Sequence, residues 1–321
     1  MIKSAPTDEG RHDRADGLYW NESWYFDFSR ADGTGGYVRL GLYPNQQVAW
    51  YWAYLVSPEH GLVVVRDHEV SLPRGDALEV RADGLWAECV CETPMEHWGL
   101  GLEAFGVRLD GPGDAYRGEI GERLPVGLDL EWEATTPVYD YPYPDEHPGA
   151  HYEHAGVVHG ELLVGRERIA FEGRGERDHS WGDRDWWLWG WHWTSFQIGD
   201  DFAANVVKAD ELDTAWGYVW RPGEGARPVE HLLLETHLGD DDVPTAARYV
   251  IDHELEVDVE VLAPAPVPLV APDGRTSRFP RALCAYTTSF GTGTGWCEWL
   301  QVGLPLGGRE TRGTPGPGTR N

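Results

Sequence analysis

The most reactive side chains of the sequence stand in one run, Gly173 to Trp186, which continues directly into Trp187 to Thr194. Asp178 and His179 are adjacent in this run and lie beside heavily apolar sequence. A carboxyl group in a dry pocket has a raised pKa and can donate a proton, and a neighbouring imidazole can orient it or accept a proton in turn. The pair therefore predicts acid–base chemistry, with Asp178 as the acid and His179 as its partner.

Three further charged residues of this run favour a structural interpretation. Arg177, Arg184 and Asp185 also lie beside apolar sequence, where ions persist only when they are paired or hydrogen-bonded. We expect them to form an Arg–Asp clasp that braces a tight turn.

Tryptophan dominates the sequence that follows, with six indoles between Trp181 and Trp193. If residues 187–195 form a strand, the tryptophans alternate with Leu188, Gly190, His192 and Thr194, and Gly190 leaves space beside the His192 imidazole. These indoles either fill the gap between packed sheets or line a cavity for a rigid apolar ligand, in which their π faces would stabilise a carbocation. On the second interpretation, the substrate-binding residues are Trp186, Trp187, Trp189, Trp191, His192, Trp193, Trp50 and Trp52.

The elements that position these residues are predicted to be short strands. The chain of 321 residues contains 40 glycines, 22 prolines, 17 tryptophans and 14 tyrosines, which favours an all-β fold with little helix. The length suits two domains. The prolines of 137–148 forbid a central strand and predict a connector there. We expect a disordered N-terminus (1–16), two β domains (17–148 and 149–305) and a disordered tail (306–321).

Charge and cysteine content exclude several classes of protein. The net charge of −28 repels nucleic acid and anionic membrane surfaces, and no apolar run is long enough for stable membrane insertion. The first 17 residues contain no apolar segment of a secretory signal, so we expect a cytoplasmic protein. Cys89, Cys91, Cys284 and Cys297 have no CxxC spacing and are interpreted as ordinary thiols. No metal site and no cofactor are predicted.

Two other patterns resemble binding motifs and are interpreted as structural. The histidines at 147, 151, 154 and 159 lie in and beside the proline-rich connector without fixed ligand spacing, which favours a solvated loop over a metal site. The run Gly291 to Gly295 lacks the lysine and the helix of a phosphate loop, and is interpreted as a hairpin turn.

One family resemblance follows from these residues. The run Arg177 to Trp186, together with Asn21 to Phe26 and Tyr43 to Asn45, resembles the superfamily of AttH-like proteins and carotenoid 1,2-hydratases (hydroxyneurosporene synthases) over roughly residues 17–305. The resemblance implies two packed, lipocalin-like antiparallel β-barrel domains, with the ligand in or between them. It also implies that His179 and Trp181 match a His-x-Trp element needed for hydration. The Tyr-x-Asp element of those hydratases has no counterpart; the nearest sequence is Tyr218 to Trp220.

Three functions are compatible with this reading. The first is a cofactor-independent enzyme that hydrates, cyclises or isomerises an isoprenoid or polyketide-like molecule, with Asp178, His179 and Trp181 as catalytic residues. The second is a pericyclic cyclase of the Diels–Alderase type, which folds its substrate without moving a proton. The third is a carrier that binds a lipid or terpenoid, because lipocalin-like folds serve both carriers and enzymes.

Overall fold

A computed structural model of the chain describes residues 4–118, 120–143, 149–210, 212, 214–239 and 243–306. Short 3-10 helices occur at Pro6–Glu9 and Pro112–Arg117. The strands of the first sheet are β1 (Trp20–Ser29), β2 (Gly35–Tyr43), β3 (Val48–Ser57), β4 (Gly61–Val70), β5 (Glu79–Ala82), β6 (Leu85–Thr93), β7 (His97–Leu109), β8 (Gly121–Ala134), β9 (Tyr139–Asp140), β10 (Ala150–Val164) and β11 (Glu167–Asp183).

The second half of the chain forms another large antiparallel sheet and a small hairpin attached to it. Its strands are β12 (Trp191–Ile198), β13 (Phe202–Ala209), β14 (Ala215–Arg221), β15 (Gly225–Pro228), β16 (Leu232–Leu238), β17 (Pro244–Ile251), β18 (Leu255–Pro264), β19 (Val267–Val270), β20 (Thr276–Phe279), β21 (Arg281–Thr288) and β22 (Gly291–Val302). The predicted all-β fold with little helix is confirmed.

The first sheet closes on itself. Its hydrogen-bonded order is β4-β3-β2-β1-β11-β10-β8-β7, and β4 pairs again with β7 at Leu62 to Val64, so eight strands form a ring. The second sheet runs β15-β14-β13-β12-β22-β21-β18-β17-β16. Each sheet curls around an apolar core of its own, and a third apolar cluster fills the space between the sheets.

Strand alternation assigns side chains to these cores. On β3, Trp50 and Trp52 face the second sheet, while Tyr51 and Ala53 point into the first barrel. All ten residues of β1 are buried, because this strand is covered on both faces. The walls between the two sheets therefore contain unusually few exposed positions.

The change from one sheet to the other occurs at residues 184–190, later than the predicted boundary at 148. The chain leaves the first sheet at the proline-rich connector but returns to it, because β10 pairs with β8 and β11 pairs with β1. The segment 149–183, expected in the C-terminal domain, thus completes the first barrel. Of the predicted disordered ends, residues 4–16 lie against this barrel, where Glu9 is buried, and residues 307–321 are outside the described chain.

The predicted tryptophan strand begins at Trp191, four residues later than expected. Residues 184–190 form a turn instead, in which the backbone N–H of Trp187 donates to Asp185 Oδ1 (2.9 Å) and that of Leu188 donates to the Asp185 carbonyl (3.2 Å). The hairpin turn was predicted within Gly291 to Gly295. It lies just before that run, between β21 and β22, because β22 begins at Gly291. Within the described chain, we find no helix with the length and apolar composition that crossing a membrane requires.

Candidate functional site

Strand β11 carries the reactive run and sorts it between two environments. Arg177, His179 and Trp181 point into the first barrel, where His179 stacks on Trp24 with ring centroids 4.5 Å apart. Asp178 lies on the opposite face of β11 and points toward the second sheet. Two residues that are adjacent in sequence therefore cannot act together, and the expected pairing of Asp178 with His179 does not occur.

The Asp178 face borders a cavity of about 590 Å³ between the two sheets. Strands β1, β2, β10 and β11 contribute one wall, and β12, β13, β14, β21 and β22 contribute the other. Its aromatic residues are Tyr25, Tyr141, Tyr143, Trp186, Trp189, Trp191, Trp193 and Trp216. Its charged or titratable residues, apart from these tyrosines, are Arg39, His151, Asp178, Asp183, Arg184, Asp185, Arg281 and Glu298.

Four of the eight residues expected to bind substrate border this cavity: Trp186, Trp189, Trp191 and Trp193. Trp189 is 54% exposed at its edge, beside Leu188. The other four lie elsewhere. Trp50, Trp52 and Trp187 pack in the apolar cluster between the sheets, where the Trp187 indole donates to the Leu269 carbonyl (3.3 Å).

His192 points away from the cavity into the core of the second sheet. Its Nε2 lies 3.0 Å from the Tyr249 hydroxyl, and burial lowers the pKa of His192 to about 3. Gly190 offers no space beside it, because a Cβ there would lie 2.1 Å from Asp210 Oδ2. The side chains of this strand alternate between two faces as expected. The face with Trp191 and Trp193 borders the cavity, and the face with His192 does not.

The acid–base centre of the cavity is formed by His151, Glu153 and Asp178. His151 Nε2 lies 2.8 Å from Glu153 Oε1 and 3.0 Å from Asp178 Oδ2, and the imidazole stacks on Tyr141 with ring centroids 4.1 Å apart. Trp193 Nε1 donates to both oxygens of Glu153 at 3.1 Å. Asp178 Oδ1 is buried and has no hydrogen-bond partner among the described residues.

The ionisation of this centre follows from its charges. Burial lowers the pKa of His151, but the negative charges of Asp178 and Glu153 outweigh that effect and raise it to about 10. Burial alone would raise the pKa of Asp178, but His151, Arg184 and Arg39 lower it below its ordinary value. In Glu153, burial dominates and raises the pKa. Asp178 is therefore a carboxylate beside an imidazolium, whereas the sequence predicted a protonated carboxyl group.

A second polar cluster borders the opposite wall. Glu298 Oε2 pairs with Arg281 Nη1 at 2.8 Å, and Glu298 Oε1 accepts from Trp191 Nε1 at 3.0 Å. Arg281 also donates to the Tyr25 hydroxyl. Burial raises the pKa of Glu298 despite the attraction of Arg281. Every member of this cluster except the guanidinium Nε of Arg281 has a partner among the described residues.

The expected clasp residues separate in the structure. Arg184 and Asp185 border the cavity, but Asp185 pairs with Arg275 (3.0 Å), and the Arg184 guanidinium lies 5.5 Å from the Trp186 ring centroid. Arg177 does form a buried clasp, but its partner is Glu9. That partner belongs to the N-terminal segment that the sequence predicted to be disordered.

The interior of the first barrel holds the other predicted catalytic residues in a hydrogen-bonded network. His179 Nε2 lies 3.0 Å from Glu22 Oε1, and its Nδ1 lies 2.9 Å from the Tyr152 hydroxyl. Trp181 stacks on His12 with ring centroids 3.6 Å apart. Neither His179 nor Trp181 borders the cavity between the sheets.

Two groups of side chains at these sites have the geometry of potential metal ligands. They are His12, Glu22 and His179 inside the barrel and His151, Glu153 and Asp178 at the cavity. In both groups the ring nitrogens and carboxylates lie at hydrogen-bond distances from one another. Two of the histidines expected in a solvated loop, His151 and His154, are instead largely or fully buried on β10, and His147 lies outside the described residues.

Strand register, and not residue type, is the signal in the sequence that places His151 and Glu153 beside Asp178. A two-residue turn at 165–166 places Val164 opposite Glu167, and counting back along the hairpin places Glu153 opposite Asp178. Register therefore brings the histidine cluster beside the reactive run. The same counting across the turn between β21 and β22 places Arg281 opposite Glu298. No local pattern brings that pair to the cavity wall opposite His151, because the two hairpins belong to different sheets.

The fold and the site define a class: an all-β protein of two curled sheets with an aromatic cavity and an acid–base centre between them. The chain belongs to the family described as "Domain of unknown function (DUF7064)", whose model matches residues 5–303. No curated protein sequence matches the chain.

Solved structures share its fold. An AttH-like protein from Nitrosomonas europaea has a TM-score of 0.66 at 14% identity, over 93% of this chain and 96% of that one. Kievitone hydratase from Nectria haematococca has a TM-score of 0.53 at 13% identity, over 87% and 88% of the two chains. CghA, solved with Sch210972, has a TM-score of 0.55 at 13% identity, over 90% of each chain. The predicted AttH-like, two-domain lipocalin-like fold is confirmed.

Proposed function

We propose that the protein is an enzyme of the hydratase or cyclase type, which moves a proton on a hydrophobic isoprenoid or polyketide-like molecule without a redox cofactor. The observation that carries this proposal is the free Asp178 Oδ1, which is buried at the cavity wall while Oδ2 binds His151. An unpaired carboxylate oxygen in a dry site is costly unless a ligand uses it. The shared fold with kievitone hydratase supports the reaction class.

Asp178 acts as the group that exchanges the proton. In a hydration, Asp178 Oδ1 takes a proton from water as the water oxygen bonds to one carbon of a C=C bond, and the protonated carboxyl group then delivers that proton to the other carbon. In an isomerisation or cyclisation, the same oxygen removes a proton from the ligand and returns it at another atom. His151 is a positioning residue for Asp178, since its positive charge stabilises the carboxylate before the first transfer and after the second.

The aromatic walls select the ligand. Trp186, Trp191 and Trp193 present large rigid surfaces to an apolar body. A cavity of about 590 Å³ falls within the range of pockets that hold small organic ligands.

The test is isotope incorporation into a hydrophobe that co-purifies with the protein and is identified by native mass spectrometry, with kievitone as a second probe. Each is incubated with the protein in deuterated water. We expect deuterium to appear in the ligand or its hydrated product. Asp178→Asn removes the transferable site, so incorporation should fall on the order of a hundredfold to ten-thousandfold while ligand affinity is retained.

The matched control is Glu172→Gln, which neutralises an exposed carboxylate on the same strand. It should leave incorporation unchanged. Product without deuterium, and without an effect of Asp178→Asn, would support the pericyclic cyclase instead. A ligand that is bound but never altered or labelled would support a carrier.

A further inference from the structure

The cavity contains one buried cation that lacks a counter-ion. Arg39 on β2 is only 3% exposed, and none of the described residues forms an ion pair with it. Its one side-chain hydrogen bond runs from Nη2 to the Tyr43 hydroxyl at 3.4 Å, and Nη1 has no acceptor. Burying a charge without a partner is expensive, so such a group usually serves a ligand.

The other two buried arginines of the described chain each have a carboxylate partner. Arg177 pairs with Glu9, and Arg281 pairs with Glu298. The lack of a partner at Arg39 is therefore not a general property of arginines in this fold.

The surroundings of Arg39 hold its guanidinium in place without an ion pair, although the guanidinium also interacts with the Asp178 carboxylate at longer range. The guanidinium carbon lies 4.9 Å from the Trp52 ring centroid and 5.1 Å from that of Trp186. A Cβ at Gly41 would lie 2.2 Å from Nη1, so only glycine leaves room for the guanidinium there. Stacking on indoles orients a guanidinium but leaves its N–H groups free to bind an acceptor.

Two more groups beside Trp186 add an unpaired donor and positive charge to this end of the cavity. Trp186 Nε1 is a buried donor without an acceptor, and Arg184 lies over the Trp186 ring with no ion pair among the described residues. Unpaired donors and positive charge thus collect around Trp186, while the unpaired acceptor of the cavity, Asp178 Oδ1, belongs to the acid–base centre.

We propose that Arg39, Trp186 and Arg184 form a subsite for an anionic oxygen group of the ligand, such as a carboxylate or an ionised enol. The natural substrate is then an amphipathic organic acid, whose apolar body lies along Trp191 and Trp193 and whose anionic end lies at Arg39. This inference rests on the proposed function, since it assigns a second role within the same cavity.

The test uses two fluorescent probes with the same aromatic body. 1-Anilinonaphthalene-8-sulfonate carries an anionic group, and N-phenyl-1-naphthylamine does not. We expect the sulfonate to bind more tightly by on the order of tenfold to a hundredfold, as one charge-assisted contact provides. Arg39→Met keeps the apolar stem and should abolish this preference without weakening the neutral probe.

Controls separate the subsite from general effects of charge and folding. Arg248→Met removes an exposed arginine of β17 and should leave both affinities unchanged. Ala209→Phe narrows the cavity and should weaken both probes together. Thermal unfolding adds an independent readout: Arg39→Met should not lower Tm in the ligand-free protein, because it removes a charge that has no partner.

Equal binding of the two probes, or an unchanged preference in Arg39→Met, would overturn the anionic subsite and leave the role of Asp178 standing. A lower Tm in Arg39→Met with no change in preference would assign Arg39 to folding and also overturn it. Failure of both probes to bind the cavity would overturn this inference together with the binding function proposed for the cavity.

Discussion

Arg177 and Asp178 are neighbours in the chain but belong to different regions of the molecule, and the contrast between those regions explains the site. Inside the first barrel, Arg177 binds Glu9, and His179 binds Glu22 and Tyr152. Between the sheets, Asp178 keeps one oxygen without a partner at the wall of a cavity. In the barrel, both ring nitrogens of His179 have partners, and the unpaired Arg177 Nε does not border the cavity between the sheets. Asp178 Oδ1, by contrast, is unpaired at the wall of a cavity that a ligand can enter.

This difference gives a way to separate structural from functional polar residues among the closely spaced charged residues of β11. A buried polar group whose bonds are complete contributes to specifying the fold. A buried polar group that lacks a partner and also borders a cavity indicates a ligand, whereas a missing partner alone does not, since Arg177 Nε and His154 Nδ1 also lack one. If this distinction is right, substitutions on the barrel side change stability, and those on the cavity side change chemistry.

The largest expected effect on stability is that of Arg177→Met. It leaves Glu9 buried without its cation, which should lower the free energy of unfolding by about 3–5 kcal/mol. Asp178→Asn should lower it by less, about 1–2 kcal/mol, because Oδ1 has no partner to lose and Glu153 still pairs with the His151 imidazolium. Urea unfolding of the two variants measures both quantities. The double variant Arg177→Met with Glu9→Leu should recover most of the loss, and a loss shared equally by the two single variants would contradict the contrast.

Asp27 tests the comparison through the pH dependence of the free energy of unfolding. This residue lies between the sheets and accepts hydrogen bonds from the Glu176 backbone N–H and the Tyr25 hydroxyl; burial raises its pKa to about 7. Because the folded pKa exceeds the unfolded one, Asp27 contributes stability that is fully present below about pH 4 and is lost as the pH rises through about 7. Asp27→Asn should remove this term, on the order of 2–4 kcal/mol, from the pH dependence.

The measurement is chemical unfolding of wild type and Asp27→Asn across that pH range. The difference between the two proteins should shift steadily in favour of the variant as the pH rises. A constant difference would mean that Asp27 is ionised at every pH tested, and that the space between the sheets is better solvated than its burial indicates.

His179→Ala tests the barrel side with a smaller expected effect. Glu22 and Tyr152 would each lose a partner, which should cost about 1–3 kcal/mol. Turnover per folded molecule should remain unchanged, since His179 does not border the cavity. Activity corrected for the folded fraction is the measurement. A loss of turnover far beyond the loss of folded protein would return His179 to the catalytic role that the family resemblance implies.

The smallest expected effect is that of Trp189→Ala. This indole is half exposed at the edge of the cavity, so its removal should change the free energy of unfolding by no more than about 0.5 kcal/mol. N-phenyl-1-naphthylamine should bind a few-fold more weakly, because part of the apolar wall is lost. Fluorescence titration and thermal unfolding check the two parts, and strong destabilisation would show that Trp189 belongs to a core.

The two regions differ in how far the sequence could predict them. Strand alternation is enough to place Trp50 and Trp52 on one face, and the glycine at 165 marks the turn after Val164, because these are local properties of strands and turns. The ion pair between Arg177 and Glu9 joins residues far apart in the chain, and no local pattern carries that contact. Sequence reasoning also grouped Asp178 with His179 by adjacency, although strand alternation separates them.

The lining of the cavity could not be predicted from the sequence alone, because it depends on how the two sheets pack together. Trp186 and Trp193 were identified by residue type, but Trp187 was identified on the same ground and does not border the cavity. The turn at 184–190 separates Trp186 from Trp187, and strand alternation separates Trp193 from His192. Arg39 was missed because a single arginine on a strand gives no sign that it will lack a partner.

The most direct measurement is a crystal structure of the protein with N-phenyl-1-naphthylamine or the co-purifying hydrophobe bound. We expect the ligand between the two sheets, in contact with Trp193 and with an atom facing Asp178 Oδ1. A ligand inside the first barrel, against His179 and Trp181, would contradict the assignment of chemistry to the outer face of β11.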